Sequence, residues 1–557
     1  MSKNETITIY CKNNQKYYEF EAGISVMEIY NQIDFKTPFL LTCCKVDNKN
    51  ENLDFRCYRS KDIEFLDITN PPGLRTYVRT LCFILSKAVN DCFPNSSIYI
   101  EHPLSKGYYC DLEIGRPVTE QDVDVLKKRM WEIIDANYPV EVHREQTDKV
   151  VKMFRDAGKE DKARLFETCG QVYSNYHILD DYLDFYNGAL LPSTNYVYMF
   201  ELTKYYDGVL LRIPSRENPR ELQSLIKQEK MMKVYKDEIE FLRVWGLMNV
   251  GDLNKAEETG DIGLLIKVAE ALQEKQIARI AGTIAQKYEE GIRIVLIAGP
   301  SSSGKTTFCK RLQVQMMTNK IKPISISLDD YYINRVDTPL SPNGDYDYES
   351  LYAIDLKTFN EDLTKLLNGE EVALPTYNFA TGTRVYRGNT IKMEHNTVLM
   401  MEGIHALNPE LLPQVDSATT YKIYVSALTA ISLDAHNWIP TTDNRMIRRI
   451  VRDYQFRKNS AKQTIARWES VRQGEEKWIF PYQENADEMF NSAMLYELAA
   501  LRRFAEPILS QVMPSDPEYS EAYRLLKFLR FFKYIDINEL SSTSLLREFL
   551  GGSSFRY

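Results

Sequence analysis

The chain has 557 residues, 44% of them hydrophobic and 26% charged, with a net charge of −9. One hydrophobic core rarely serves so long a chain, so two to four domains are expected. No apolar run approaches the ~18 residues of a membrane span, and the acidic balance argues against a general nucleic-acid coat.

Residues 5–65 alternate in short β-like stretches, Thr6–Tyr10 and Tyr17–Glu21, around a helical piece at Val26–Ile33. Those proportions predict a small ubiquitin-like α/β domain over 1–68. Residues 69–225 mix helical patterns (75–92, 119–137, 146–158) with strands such as Ser97–Glu101, and read as an α+β domain. A Lys-, Glu-, Ala- and Leu-rich stretch over 226–290, interrupted at Asn249–Gly251 and Gly260–Gly263, reads as a helical connector. From 291 to 512 near-continuous apolar strands (Ile292–Ala298, Pro323–Leu328, Thr397–Met401, Tyr421–Val425) alternate with helices, the pattern of a parallel sheet covered on both faces. Residues 513–557 form a helical extension with a Leu/Phe-rich helix at Tyr523–Tyr534. Nine cysteines form no C-x-x-C pair, and no apolar signal segment follows Met1. Reduced thiols in a cytoplasmic protein are expected, with neither a disulfide framework nor a zinc site.

The first strand of the 291–512 segment runs into Gly299-Pro300-Ser301-Ser302-Ser303-Gly304-Lys305-Thr306-Thr307. This completes G-x-x-x-x-G-K-[ST], whose backbone N–H groups converge on phosphate oxygens at a helix N-terminus. Lys305 can reach the β/γ-phosphates, and the Thr306 hydroxyl can join a Mg²⁺ shell. A nucleoside triphosphate is the implied ligand. Ligands of an open parallel sheet sit beyond its strand ends, where Asp329-Asp330 and Glu402 fall. Transfer of a phosphoryl group to a hydroxyl needs a carboxylate for the proton, which suits Asp329, and a metal ligand, which suits Glu402. Arg445, Arg448, Arg449 and Arg452 share one helix face, with few acids inside the run to pair with them. A mobile arginine lid over the phosphates is expected.

Gly299–Thr306, Leu328-Asp-Asp-Tyr-Tyr332, Asp345-Tyr-Asp347, Pro375–Phe379, Glu402-Gly-Ile and Arg448–Asp453 stand in the order found in uridine/cytidine kinases, whose core phosphoribulokinases share. The resemblance covers about residues 290–510 and implies a P-loop kinase fold. It also implies transfer of the γ-phosphate of ATP or GTP, with Mg²⁺, to the 5′-hydroxyl of a ribonucleoside. By resemblance Asp329 is the catalytic base, assisted by Lys305 and Arg452. Thr306, Asp329 and Glu402 serve Mg²⁺, and Arg457 meets the donor. Asp347 holds the ribose, while Tyr332, Tyr377, Phe379, Arg384, Arg448 and Arg449 contact the substrate. The histidine that such kinases place against the base is here Gly382, and Asn378 replaces an aspartate. Base choice is therefore open, with a purine nucleoside or another small hydroxyl acceptor as alternatives.

The first two domains resemble the TGS and following domain of threonyl-tRNA synthetases, on Gly107–Glu113, Val118–Val123 and Met130 through Tyr138-Pro-Val-Glu141. There the second domain hydrolyses mischarged tRNA through a histidine pair with a later Cys and His. The corresponding positions here are Phe83 and Lys87, and a stretch near Tyr196–Phe200 without Cys or His, so editing is not expected. The N-terminal half reads as a binding or regulatory module that could meet RNA, and family resemblance suggests a homo-oligomer. An NTP-dependent RNA-binding regulator is the alternative to an enzyme.

Overall fold

The computed structural model describes residues 5–341 and 344–556. The first domain is a five-stranded sheet in which Thr6–Cys11 pairs antiparallel with Lys16–Glu21 and parallel with Lys61–Asp67. Alternation along Thr6–Cys11 turns Ile7, Ile9 and Cys11 inward, against the Val26–Gln32 helix. The second domain centres on the helix Pro71–Cys92, opened by Pro71 and Pro72 and buried along most of its length. It packs against two separate sheets, one of four strands and one of three. All nine cysteines are free thiols, seven of them buried.

The connector is three helices, Glu229–Trp245, Val250–Thr259 and Ile262–Glu289. The two sequence breaks mark their ends: Asn249 caps the second helix with a capping box, and Gly260 closes it in the left-handed region. The last connector helix is no loose linker, because Ile277, Ile280, Ala281 and Ile284 share a core with Val295, Phe308 and Leu312. Arg311 adds hydrogen bonds to Gln273 and Glu274.

Residues 291–512 form the parallel sheet expected. Its strand order is Lys322–Ser327, Thr397–Glu402, Ile294–Ala298, Thr420–Ser426, Glu488–Asn491, every pair parallel. Ile294–Ala298 is buried at every position, as a central strand covered on both faces must be. The fifth strand, and a two-stranded hairpin of Val372–Asn378 with Thr383–Ile391, were not expected from the sequence.

The N-terminal half and the sheet domain meet through buried charge. Lys162 lies 3.0 Å from Asp184 and 2.7 Å from Asp434, all three at most 1% exposed. His436 Nδ1 bonds Asp184 at 2.6 Å, and Asn437 donates to Asp434 and to the Phe185 carbonyl. Among the described residues no helix is long and apolar enough to cross a membrane.

Candidate active site

The loop Gly299–Gly304 turns off the central strand and feeds the helix Lys305–Thr318. Gly299 admits no side chain, since a Cβ there would stand 2.2 Å from the Val425 carbonyl oxygen. Gly304 adopts φ +84°, the left-handed conformation that favours glycine. Lys305 Nζ donates to the carbonyls of Gly299 and Pro300 at 2.8 and 3.2 Å. Burial lowers its pKa, while Glu402 and Asp329 oppose that shift. Thr306 Oγ1 donates to Glu402 Oε1 at 3.2 Å, joining a strand end to the loop as the metal reading requires.

Four carboxylates face Lys305: Glu402, Asp329, Glu548 and Glu349. Burial raises the Asp329 pKa against the pull of Lys305, and pushes Glu402 and Glu349 up to about 7. Glu349 belongs to the acidic stretch after Gly344 and was assigned no role from sequence. Among the described residues, no group of three or more His, Cys, Asp and Glu side chains is placed to hold a metal ion. Mg²⁺ needs no such cage, because one or two carboxylates complete its shell with phosphates and water. The Thr306 hydroxyl and Glu402, with Asp329 beside them, fit that pattern.

Asp330 is engaged elsewhere: its Oδ1 accepts the Tyr377 N–H at 3.1 Å and anchors the hairpin. This brings Tyr332, Tyr377 and Phe379 into one aromatic cluster, with ring centroids 5.0–6.3 Å apart. Tyr332 and Tyr377 are buried, whereas Phe379 is 61% exposed. Asp347 Oδ1 accepts the Glu349 N–H, closing the turn that carries both acids. Arg384 pairs with Asp355 at 2.8 Å, so it ties the hairpin to the neighbouring helix.

Gly382, at the expected histidine position, has φ +71°, and a Cβ on it would meet Arg335 Cβ and Nε at 2.7 Å. The Arg335 side chain thus occupies the space beside Gly382. It is held by its own N–H to the Gly382 carbonyl and by a guanidinium bond to the Phe379 carbonyl. Arg335 Nε is buried without a partner. No sequence motif announces Arg335, which lies 47 positions before the residue it replaces in space.

The arginine helix, Thr441–Arg457, corrects one expectation. Arg448 was assigned to substrate and, with Arg445, to a mobile lid; both are buried and immobilised. Arg445 pairs with Glu475, and Arg448 with Glu497 at 2.5 Å. The partners that the run itself lacks come from 30 and 49 residues further on. From behind, these arginines brace the phosphate loop: Arg445 donates to the Ser301 carbonyl at 3.0 Å and Arg448 to that of Ser302 at 3.4 Å. Ser492 completes the brace on the Ser303 carbonyl. Arg449 alone of the four donates to a side chain of the loop, Ser301 Oγ, at 2.9 Å. Arg449, Arg452 and Arg457 all share Asp453, and Arg457 remains more than half exposed. Any mobile cationic group comes from this distal end of the helix.

In the N-terminal half, Phe83 and Lys87 lie on the helix Pro71–Cys92. Phe83 packs on Tyr186, Tyr182 and His177, and Lys87 pairs with Asp181 at 2.6 Å. The 196–200 stretch meets the same helix earlier, where Tyr77 donates to the Met199 carbonyl. His177 accepts the Tyr186 N–H through Nδ1, a structural histidine whose pKa burial lowers to about 3.

Residues 294–498 match the model of the phosphoribulokinase / uridine kinase family. A structure described as that of a possible uridine kinase from Bacillus stearothermophilus aligns with 38% of this chain and 97% of its own, at 19% identity and a TM-score of 0.26. The threonine–tRNA ligase of Symbiobacterium thermophilum is 26% identical over 196 residues, 34% of this chain and 30% of that enzyme. That of Acinetobacter baumannii is 29% identical over 191 residues, 33% and 29% of the two chains. The chain thus spans less than a third of the length of these curated relatives. Its C-terminal part is thus similar to the phosphoribulokinase / uridine kinase family over residues 294–498, and its N-terminal half is similar to threonyl-tRNA synthetase.

Proposed function

We propose that the protein is a nucleoside kinase, moving the γ-phosphate of ATP or GTP to the 5′-hydroxyl of a ribonucleoside. The observation that carries this reading is the Asp329 carboxylate. It stands just past the edge strand Lys322–Ser327, beside Lys305, and its carboxylate accepts no hydrogen bond among the described residues. A nucleotide switch has no use for such a group, whereas a phosphotransferase needs one against its acceptor. Asp329 takes the hydroxyl proton as the oxygen–phosphorus bond forms and the bond from γ-phosphorus to the bridging oxygen breaks, releasing the nucleoside diphosphate. Lys305 and Arg449 or Arg452 offset charge on the transferring group. Mg²⁺, held by Thr306 and Glu402, supplies further neutralisation when bound.

Arg335 supports a particular acceptor class. A guanidinium donates and cannot accept, so it suits a base edge made of acceptors, such as the O6/N7 edge of a 6-oxopurine. The decisive experiment is Mg²⁺-dependent transfer from ATP and GTP to a panel of nucleosides and sugar phosphates, with Asp329→Asn as control. Phosphorylation of guanosine or inosine above uridine and cytidine is expected. Transfer to sugar phosphates alone would instead make the enzyme phosphoribulokinase-like. Donor binding without transfer to any acceptor would overturn the kinase reading.

A further inference from the structure

The Lys305–Thr318 helix opens at the phosphate loop, and the first-turn N–H groups of such a helix are the donors an anion would use. One of them is already taken. Thr307 N and Oγ1 donate to the same oxygen of Glu548, at 3.3 and 2.6 Å. Glu548 reaches this point from the short helix Arg547–Leu550, near the end of the C-terminal extension. Leu545, Leu546 and Phe549 around it are fully buried, and the Leu545 side chain lies against Gly304, leaving no room there for a Cβ. Arg448, one of the braces of the loop, stacks its guanidinium over the Phe549 ring at 5.0 Å. The carboxylate is therefore delivered to the phosphate loop by a packed segment. The other end of the extension holds the N-terminal half, through Arg75 with Glu521 and through Asn48 donating to the Pro514 carbonyl.

We infer that the C-terminal segment is an intramolecular competitor of the phosphate donor, with Glu548 seated where the donor's α-phosphate binds. In a loop of this type the backbone donors cradle the α- and β-phosphates. Two anions cannot share the donors of Thr307, because they repel and each needs the same N–H. Donor entry must then displace Glu548, and the extension sets how readily the loop fills. This inference rests on the donor part of the proposed function and is independent of the acceptor.

The test is the affinity of the full-length protein for MgATP, by calorimetry, with and without Glu548→Gln. Removing the charged competitor is expected to tighten binding roughly 10- to 100-fold, the worth of its charge-assisted bonds. Unchanged affinity would make Glu548 a mere helix cap, and weaker affinity would make it a donor ligand; either result overturns the inference. Should the variant fail to fold, hydrogen exchange of the unmodified protein decides. Saturating MgATP should deprotect the amides of residues 545–550, and unaltered protection overturns the inference. No MgATP binding by either protein would instead remove the donor reading itself.

Discussion

Two clefts of this molecule are built from similar parts, a helix laid against a strand end, and have reached opposite states. In the N-terminal half, Phe83 packs against Tyr182 and Tyr186, and Lys87 is neutralised by Asp181 and its neighbours. At the phosphate loop, Asp329, Glu349 and Glu402 crowd one lysine whose ammonium is bonded to loop carbonyls. The first arrangement satisfies itself. The second holds carboxylates whose pKa values burial raises against the pull of Lys305, a pattern that clusters at functional sites.

The largest effect that would break this contrast is on turnover. Asp329→Asn should lower phosphate transfer by about 10²- to 10⁴-fold, some 3–5.5 kcal/mol of barrier, with MgATP affinity nearly unchanged. Comparable activity in the variant, measured at saturating acceptor, would show that the carboxylate is not the base. The filled cleft should answer differently. Phe83→Ala should cost about 3–5 kcal/mol in urea unfolding, the price of a buried cavity, and leave transfer per folded molecule intact.

The pH dependence of stability sharpens the comparison at the level of single protons. Glu349 and Glu402 keep their protons up to about pH 7, while in the unfolded chain they release them near 4.5. Between those values the folded state binds more protons, so stability falls as pH rises through the window. A loss of about 1–3 kcal/mol per carboxylate is expected between pH 5 and 7.5 in the ligand-free protein. Glu402→Gln should flatten the curve, and an unaltered slope would place the titration elsewhere. The smallest effect concerns Phe379, the exposed ring of the aromatic cluster assigned to the proposed acceptor. Phe379→Ala should shift stability by less than about 0.5 kcal/mol, yet raise the acceptor KM roughly 3- to 10-fold through lost stacking.

Much of the loop face was legible because its chemistry is local. Gly299–Thr307 lies within nine consecutive residues, and the strand ends at Asp329 and Glu402 follow from apolar runs that stop at acids. What escaped was set by distance along the chain. Arg448 looked unpaired because Glu497 lies 49 positions away, and Arg335 gave no sign of standing beside Gly382. Glu548 belongs to the helical extension over 513–557, in which no motif marks it. The fifth strand, Glu488–Asn491, is four residues long and too short to declare a period. In the N-terminal half the contacts of Phe83 with Tyr186 and of Lys87 with Asp181 span about a hundred positions, out of reach of any local pattern.

The buried lysine between Asp184 and Asp434 bears on heredity. A gene split between the two halves would give two polypeptides, each with part of a charge network cut at Lys162–Asp434 and at Asp184–His436. The N-terminal half keeps Lys162 and Asp184, and the other keeps Asp434 and His436. Such a break is strongly destabilising, because the orphaned charges stay in a dry interior or force it open. The two halves are thereby tied to one reading frame, since a change that removes either one strands buried charge in the other.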